Sequence, residues 1–253
     1  MKKRFLLSTA ATPGLAPGEG RRHCRLRSPV LCALGGCLTL SLFLLLLSGC
    51  GKPAPAWFAA GHQQLESFKS AFLTGAAPRL VELHFQRALG ELKKSGDLDL
   101  LQKAWLTRMA LQVASREKTE RGDYPAIESA LSVPANRQFY LFLTGDPAVV
   151  DGALLPSAYQ PFWQTLQKGE TVAAFQKLAL IKEPLSRLIA AGVAARLTPI
   201  SEDLLLTAVE TASRNGWKRP LLAWLKESQG FYEKTGQTAK AEAVSRRLAL
   251  ITP

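Results

Sequence analysis

From residue 57 onward, apolar positions recur at intervals of three and four, the period of one face of an α-helix, and no stretch shows the β-branched alternation between turns that marks a strand. Leu80, Leu83, His84, Arg87, Ala88 and Glu91 trace one such helix, with Pro78 in its first turn, where a missing N–H costs nothing. Gly75 and Ser95-Gly96 punctuate its two ends. Asp97 then predicts the N-cap of a helix that carries Leu100, Leu101, Ala104, Trp105, Arg108, Met109, Leu111 and Val113 to about Thr119. Further on, Ser201-Glu202-Asp203 opens a helix over 204–213, and 218–234 and 238–250 predict a closing pair around Thr235-Gly236. The middle of the chain, 124–161, is interrupted by Pro125, Pro134, Pro147, Pro156 and Pro161. The expected fold class is therefore all-α, with helical hairpins arranged as an irregular α-solenoid or a bundle.

Eight glycines fall at even intervals: Gly75, Gly96, Gly122, Gly145, Gly169, Gly192, Gly216 and Gly236, with gaps of 21, 26, 23, 24, 23, 24 and 20 residues. One helix and one turn fill each gap, so two gaps make a hairpin near the period of helical-repeat families. Gly61, Gly90, Gly152 and Gly230 are read as lying inside helices. Tyr232-x-x-x-Gly236-x-x-x-x-Ala241 resembles the turn of a tetratricopeptide repeat, in which a large residue packs beside a glycine and a small residue lets the second helix approach. Gly169-x-x-x-x-Ala174 repeats the latter half, and Gly75 with Phe85-x-x-Ala88-Leu89 is similar to a shifted second helix. The resemblance covers about a third of the helical region, and it implies an architecture used to bind other proteins.

Before the helical region comes a different pattern. Residues 38–47 are almost uninterruptedly apolar and run into Leu47-Ser48-Gly49-Cys50, followed by the polar, proline-broken Gly51-Lys52-Pro53-Ala54-Pro55. This junction resembles the lipobox of bacterial lipoproteins, whose signal peptidase cuts before a cysteine that carries diacylglycerol through a thioether. Leu47, Ser48 and Gly49 match the lipobox, and the resemblance implies lipidation at Cys50. The apolar core is within the length of a signal peptide and short for a bilayer span, although 30–47 can be stretched towards one. Lys2, Lys3, Arg4, Arg21, Arg22, Arg25 and Arg27 supply the positive flank. That flank is long, so either the signal has an extended front or translation starts near Leu26. Arg21-Arg22 lacks the apolar followers of a twin-arginine signal. The expected organisation is a signal peptide over 1–49, a lipidated cysteine and linker over 50–56, and a helical domain over 57–253. Gly51 stands where an aspartate retains many lipoproteins at the inner membrane, which implies the outer membrane, facing the periplasm.

Removing residues 1–49 changes the charge argument. The chain has 32 Lys+Arg and 20 Asp+Glu; seven of the former and only Glu19 of the latter precede Cys50, which leaves 25 against 19, a net +6. A nucleic-acid partner is not expected at that charge, and mild attraction to an anionic membrane surface is. Cys24, Cys32 and Cys37 leave with the signal and Cys50 is consumed by lipid, so the mature domain has no thiol to form a disulfide and depends on its core. Its 204 residues suffice for one.

No Gly-rich phosphate cradle, His-Glu-x-x-His, Gly-x-Ser-x-Gly or paired Cys-x-x-Cys is present. His62 and His84 lie on neighbouring helices without an evident third ligand, so no metal or other cofactor is expected. Leu65-Glu66-Ser67-Phe68 has the Glu-Ser dipeptide of lytic transglycosylases, where the glutamic acid protonates a glycosidic oxygen, but the later groove motifs of that family are missing and Glu66 fits a polar helix face. Trp57-Phe58 fit either the core or the lipid headgroup layer, and Trp217 and Trp224 sit among Lys218, Arg219 and Lys226. The mixed run Arg116-Glu117-Lys118-Thr119-Glu120-Arg121 has the composition of a solvated helix end. The leading expectation is a non-enzymatic, lipid-anchored scaffold that binds an envelope protein. The alternatives are an enzyme acting on peptidoglycan through Glu66 and a spacer with no dedicated ligand.

Overall fold

The structure, a computed structural model, describes residues 55–145 and 149–252; the lipobox-like residues Leu47, Ser48, Gly49 and Cys50, with everything before them, lie outside the described residues. The described residues form helices and connecting turns, with no strand. In chain order the helices are α1 (Ala56–Thr74), α2 (Pro78–Lys93), α3 (Leu98–Ala114), α4 (Tyr124–Ala130), α5 (Pro134–Thr144), α6 (Gln160–Gln167), α7 (Thr171–Ala179), α8 (Pro184–Leu197), α9 (Glu202–Arg214), α10 (Lys218–Lys234) and α11 (Thr238–Ile251), with one 3₁₀ turn at Gly152–Leu154. All belong to one unit, Ala54–Pro253.

Local chemistry sets many of the boundaries. Asp97 caps α3 by accepting from the N–H groups of Asp99 and Leu100, Ser201 caps α9 through Leu204 N–H, and Glu183 caps α8 through Leu185 and Ser186. Prolines occupy the first turn of α2, α4, α5, α6 and α8. This placement accounts for the shortness of the middle helices: Pro134 and Pro161 each start a new helix instead of continuing the one before.

Adjacent helices pack as antiparallel hairpins, α1 with α2, α6 with α7, and α10 with α11, while α9 also packs on α10. Two helices hold the centre. α3 buries residues on every side, from Leu101 and Trp105 to Met109, Leu111 and Val113, and α8 does the same from Leu188 to Ala194. Neither has an amphipathic pattern, because each is surrounded by other helices. The polar groups that α3 buries are satisfied: Gln102 Nε2 donates to Leu131 O at 2.6 Å, Asn136 Nδ2 donates to Gln102 Oε1 at 2.9 Å, and Gln112 Oε1 accepts from Glu120 N–H at 2.9 Å. α10, near the end of the chain, packs against α1. In an open array each unit touches only its neighbours. The contact between α10 and α1, with α3 and α8 enclosed, makes this arrangement a bundle.

Three expectations are corrected. Gly192 is not a turn glycine: it lies inside α8, where a Cβ would stand 2.2 Å from Val113 O and 2.8 Å from Val113 Cγ1. It is small because the backbone of α3 passes directly against it. The other seven evenly spaced glycines all have positive φ, between 47° and 78°. The second correction is at α3, which ends at Ala114 and not near Thr119. Arg116 adopts φ 57°, and the N–H groups of Arg116 and Glu117 bond to Val113 O and Gln112 O, which closes the helix in a left-handed turn. Gly152 also departs slightly from expectation, sitting in the 3₁₀ turn.

At the closing hairpin, Tyr232 and Ala241 are buried and Gly236 has φ 71°. A Cβ at Gly236 would meet nothing within 4 Å, so a side chain there is opposed only by backbone conformation. Gly236→Val should cost about 1–2 kcal/mol. Lys240→Ala, which removes a half-exposed ion pair to Glu202 at 2.6 Å, should stay within about 1 kcal/mol. Thermal melts of the two variants check the order, and equal losses would mean that the left-handed turn is not formed.

Candidate functional site

α10 is an amphipathic helix with only one of its faces used against α9 and α11. Its buried side carries Trp224, Leu225, Ser228 and Tyr232. The opposite stripe, through Leu222, Ala223, Lys226, Gly230 and Lys234, borders an open groove of about 1110 Å³. The far wall comes from Gly75, Ala76 and Pro78 between α1 and α2, and from Ser115, Arg116 and Glu117 just past α3.

Two ion pairs cross between the end of α3 and α10. Arg219 binds Glu117 in a bidentate fork, Nε to Oε1 at 2.6 Å and Nη2 to Oε2 at 2.9 Å, with its guanidinium 3.9 Å from the centre of the Phe72 ring. Arg116 Nε donates to Glu227 Oε1 at 3.1 Å, and the same guanidinium stands 5.5 Å over Trp224. Beneath them, Trp224 Nε1 donates to Ala114 O at 2.9 Å and the ring is fully buried. Arg196 on α8 supports the turn from behind by donating to Glu117 O at 3.0 Å and Leu143 O at 2.7 Å. Burial, with the Arg116 guanidinium nearby, pulls Arg196 below the usual guanidinium range.

The run from Arg116 to Arg121 is therefore not a solvated helix end. It is a loop in which two charges tie the end of α3 to α10, Arg116 to Glu227 and Glu117 to Arg219, while Glu120 folds the loop back onto Arg108 of α3 at 2.7 Å. Those partners are 111, 102 and 12 residues away.

Two features of the groove are not consumed by the fold. Lys218, Lys226 and Lys234 are exposed along α10 and make no ion pair or hydrogen bond with any described residue. Ser115, at the groove wall, is 1 % exposed, and its Oγ has no hydrogen-bond partner, a condition that ordinarily costs about 1–3 kcal/mol. The left-handed Arg116 is a third uncommon feature, since a residue with a Cβ resists that conformation by about 1–2 kcal/mol. Arg116→Gly should accordingly be more stable than Arg116→Ala by about 1 kcal/mol, because both lose the guanidinium and only glycine relieves the backbone. Urea unfolding of the pair measures this; alanine equal to or better than glycine would contradict the left-handed turn.

The remaining sequence candidates lie elsewhere. Glu66 is on the exposed side of α1, paired with Lys69 at 2.7 Å, and does not line the groove. His84 is part-buried with Nδ1 3.0 Å from Gln64 Oε1, whereas His62 is exposed. No cluster of three or more metal-ligating side chains occurs among the described residues. Trp57 packs at the edge of the core and Phe58 is 43 % exposed beside it. Trp217 is half-buried and Trp224 is core. None of the described helices is long and apolar enough to cross a membrane. Searches of protein-family models, curated proteins and solved structures found no match to this chain.

Proposed function

We propose that this chain is a lipid-anchored envelope protein whose helical bundle acts as a protein-binding scaffold through the groove along α10. The observation that carries the reading is the groove itself: about 1110 Å³ of open space lined by half-buried apolar residues, with three unengaged lysines at its edge. A volume of that size exceeds most small-molecule pockets and suits a segment of another protein. The tetratricopeptide-like spacing at Tyr232, Gly236 and Ala241 falls in the α10–α11 hairpin, whose first helix lines the groove.

The anchor rests on the Leu47-Ser48-Gly49-Cys50 junction. Five residues, 51–55, separate Cys50 from the first residue of α1, a tether of at most about 18 Å when extended. Such a tether holds the bundle close to the membrane, on the periplasmic side of the outer membrane if Gly51 has the meaning the lipoprotein resemblance implies. Phe58, exposed in the first turn of α1, is then within reach of the headgroup layer. No cofactor and no nucleic acid enter this reading. The peptidoglycan-enzyme alternative needs Glu66 in a substrate cleft, and an exposed carboxylate paired with Lys69 gives it no support.

Cys50→Ala should leave the precursor unprocessed and abolish incorporation of an acyl-chain analogue, read by mobility shift and in-gel labelling. Incorporation that survived the substitution would sink the anchor. Fractionation of the parent protein with inner-membrane markers would instead correct only the choice of membrane.

A further inference from the structure

We propose that the α10 groove takes an acidic amphipathic helix from its partner, a specification that rests on the scaffold reading above. Charge decides the sign. The two acids in the groove, Glu117 and Glu227, are each engaged by an arginine, so Lys218, Lys226 and Lys234 face the opening uncompensated. They follow one another at eight-residue intervals on one helix, about 12 Å apart along its axis. Eight residues also turn the helix by about 80°, so Lys226 lies near the middle of the groove face and Lys218 and Lys234 towards its two flanks; acids on both flanks of a facing helix match that arrangement, and complementary charge of this kind guides encounter and register.

Shape decides the class of ligand. Leu222, Ala223 and Phe231 offer a half-buried apolar floor between the lysines, and at Gly230 a Cβ would meet nothing within 4 Å, so the floor is open at its middle. An apolar stripe with a charged edge along most of a helix is what a second amphipathic helix covers. An acyl chain is a poorer occupant, because it would strip water from the Arg116–Glu227 and Arg219–Glu117 pairs without replacing a hydrogen bond. A peptide supplies donors and acceptors to both ion pairs in place of the water it displaces.

The test uses the full chain in phosphatidylcholine nanodiscs to select from a random peptide library. Enriched peptides should be net acidic, with apolar residues at three and four spacing, and a fluorescent copy should bind more weakly as salt rises. Joint replacement Lys218→Glu, Lys226→Glu and Lys234→Glu should weaken binding of that copy at least about 10-fold. Gly230→Phe should block it as well, while raising the helix propensity of α10. It provides a second, independent readout should the charge reversal unfold the protein. Enrichment of basic or neutral peptides, no enrichment, or binding indifferent to both variants would overturn the assignment. So would lysine-dependent attachment to phosphatidylglycerol nanodiscs in place of peptide binding. Cys50-dependent acylation, and recovery of a stoichiometric partner by pulldown of the parent protein from detergent-solubilised envelope, are read separately. If they persist while peptide binding fails, the groove assignment falls and the anchored scaffold stands.

Discussion

Gly192→Ala is expected to destabilise the protein by about 3 kcal/mol, the upper part of the range for overpacking, and to lower its melting temperature by roughly 6–12 °C. The new methyl would stand 2.2 Å from Val113 O and 2.8 Å from Val113 C. These are backbone atoms of the other central helix, so no rotamer change can make room. α3 and α8 must separate instead, and with them the buried layer of Leu111, Val113, Ala190, Val193 and Ala194. The damage would reach the groove, because Arg116 Nη1 donates to Gly192 O at 3.4 Å and the turn after α3 is positioned by that approach. Gly90→Ala is the control. It too is a helical glycine, but nothing lies within 4 Å of its Cβ position, and the change should be neutral or stabilising by a few tenths of a kcal/mol. Thermal melts compare the two, and Gly192→Ala melting with Gly90→Ala would mean that the central helices do not touch at this point.

The same glycine marks where sequence reasoning stopped working. Chain-local signals located the helices well: Asp97 and Ser201 capped the helices expected of them, Pro78 stood in the first turn of α2, and the limits of α10 coincide with the stretch 218–234. Each of these depends on residues within one or two turns of one another. Gly192 depends on Val113, which is 79 positions earlier, and a glycine wanted for close approach looks in sequence like one wanted for a turn. The end of α3 was missed for a related reason. Arginine is a good helix former, and the contacts that accompany its left-handed conformation, with Glu227, Trp224 and Gly192 O, are all tertiary. The charge run 116–121 carried no sign that its partners lay on α10. What could be read was that Trp224 sits among Lys218, Arg219 and Lys226, an aromatic within a basic cluster; which face of α10 lined a groove required the positions of α1 and α3.

Trp224→Ala is expected to cost about 3–5 kcal/mol, which makes this tryptophan, and not the ion pairs above it, the main attachment of α10 to the centre of the bundle. The pairs are conspicuous but partly exposed, with side-chain exposures of 16 and 33 % for Arg116 and Glu227 and 31 and 32 % for Arg219 and Glu117. Each is worth on the order of 1 kcal/mol at that exposure, and less as salt rises. Trp224 is fully buried, and its indole N–H holds Ala114 O at 2.9 Å. Removing it opens a cavity, leaves that carbonyl without the donor, and takes away the surface under Arg116. Trp224→Phe keeps most of the volume and loses the hydrogen bond, so it should cost less, about 1–3 kcal/mol. Glu117→Gln, which weakens one ion pair without a cavity, should cost under about 1 kcal/mol. Urea unfolding of the three variants, repeated at high salt, gives the ranking. If Glu117→Gln proved as damaging as Trp224→Ala, charge and not burial would hold α10 in place, and the groove would be expected to open as ionic strength rises.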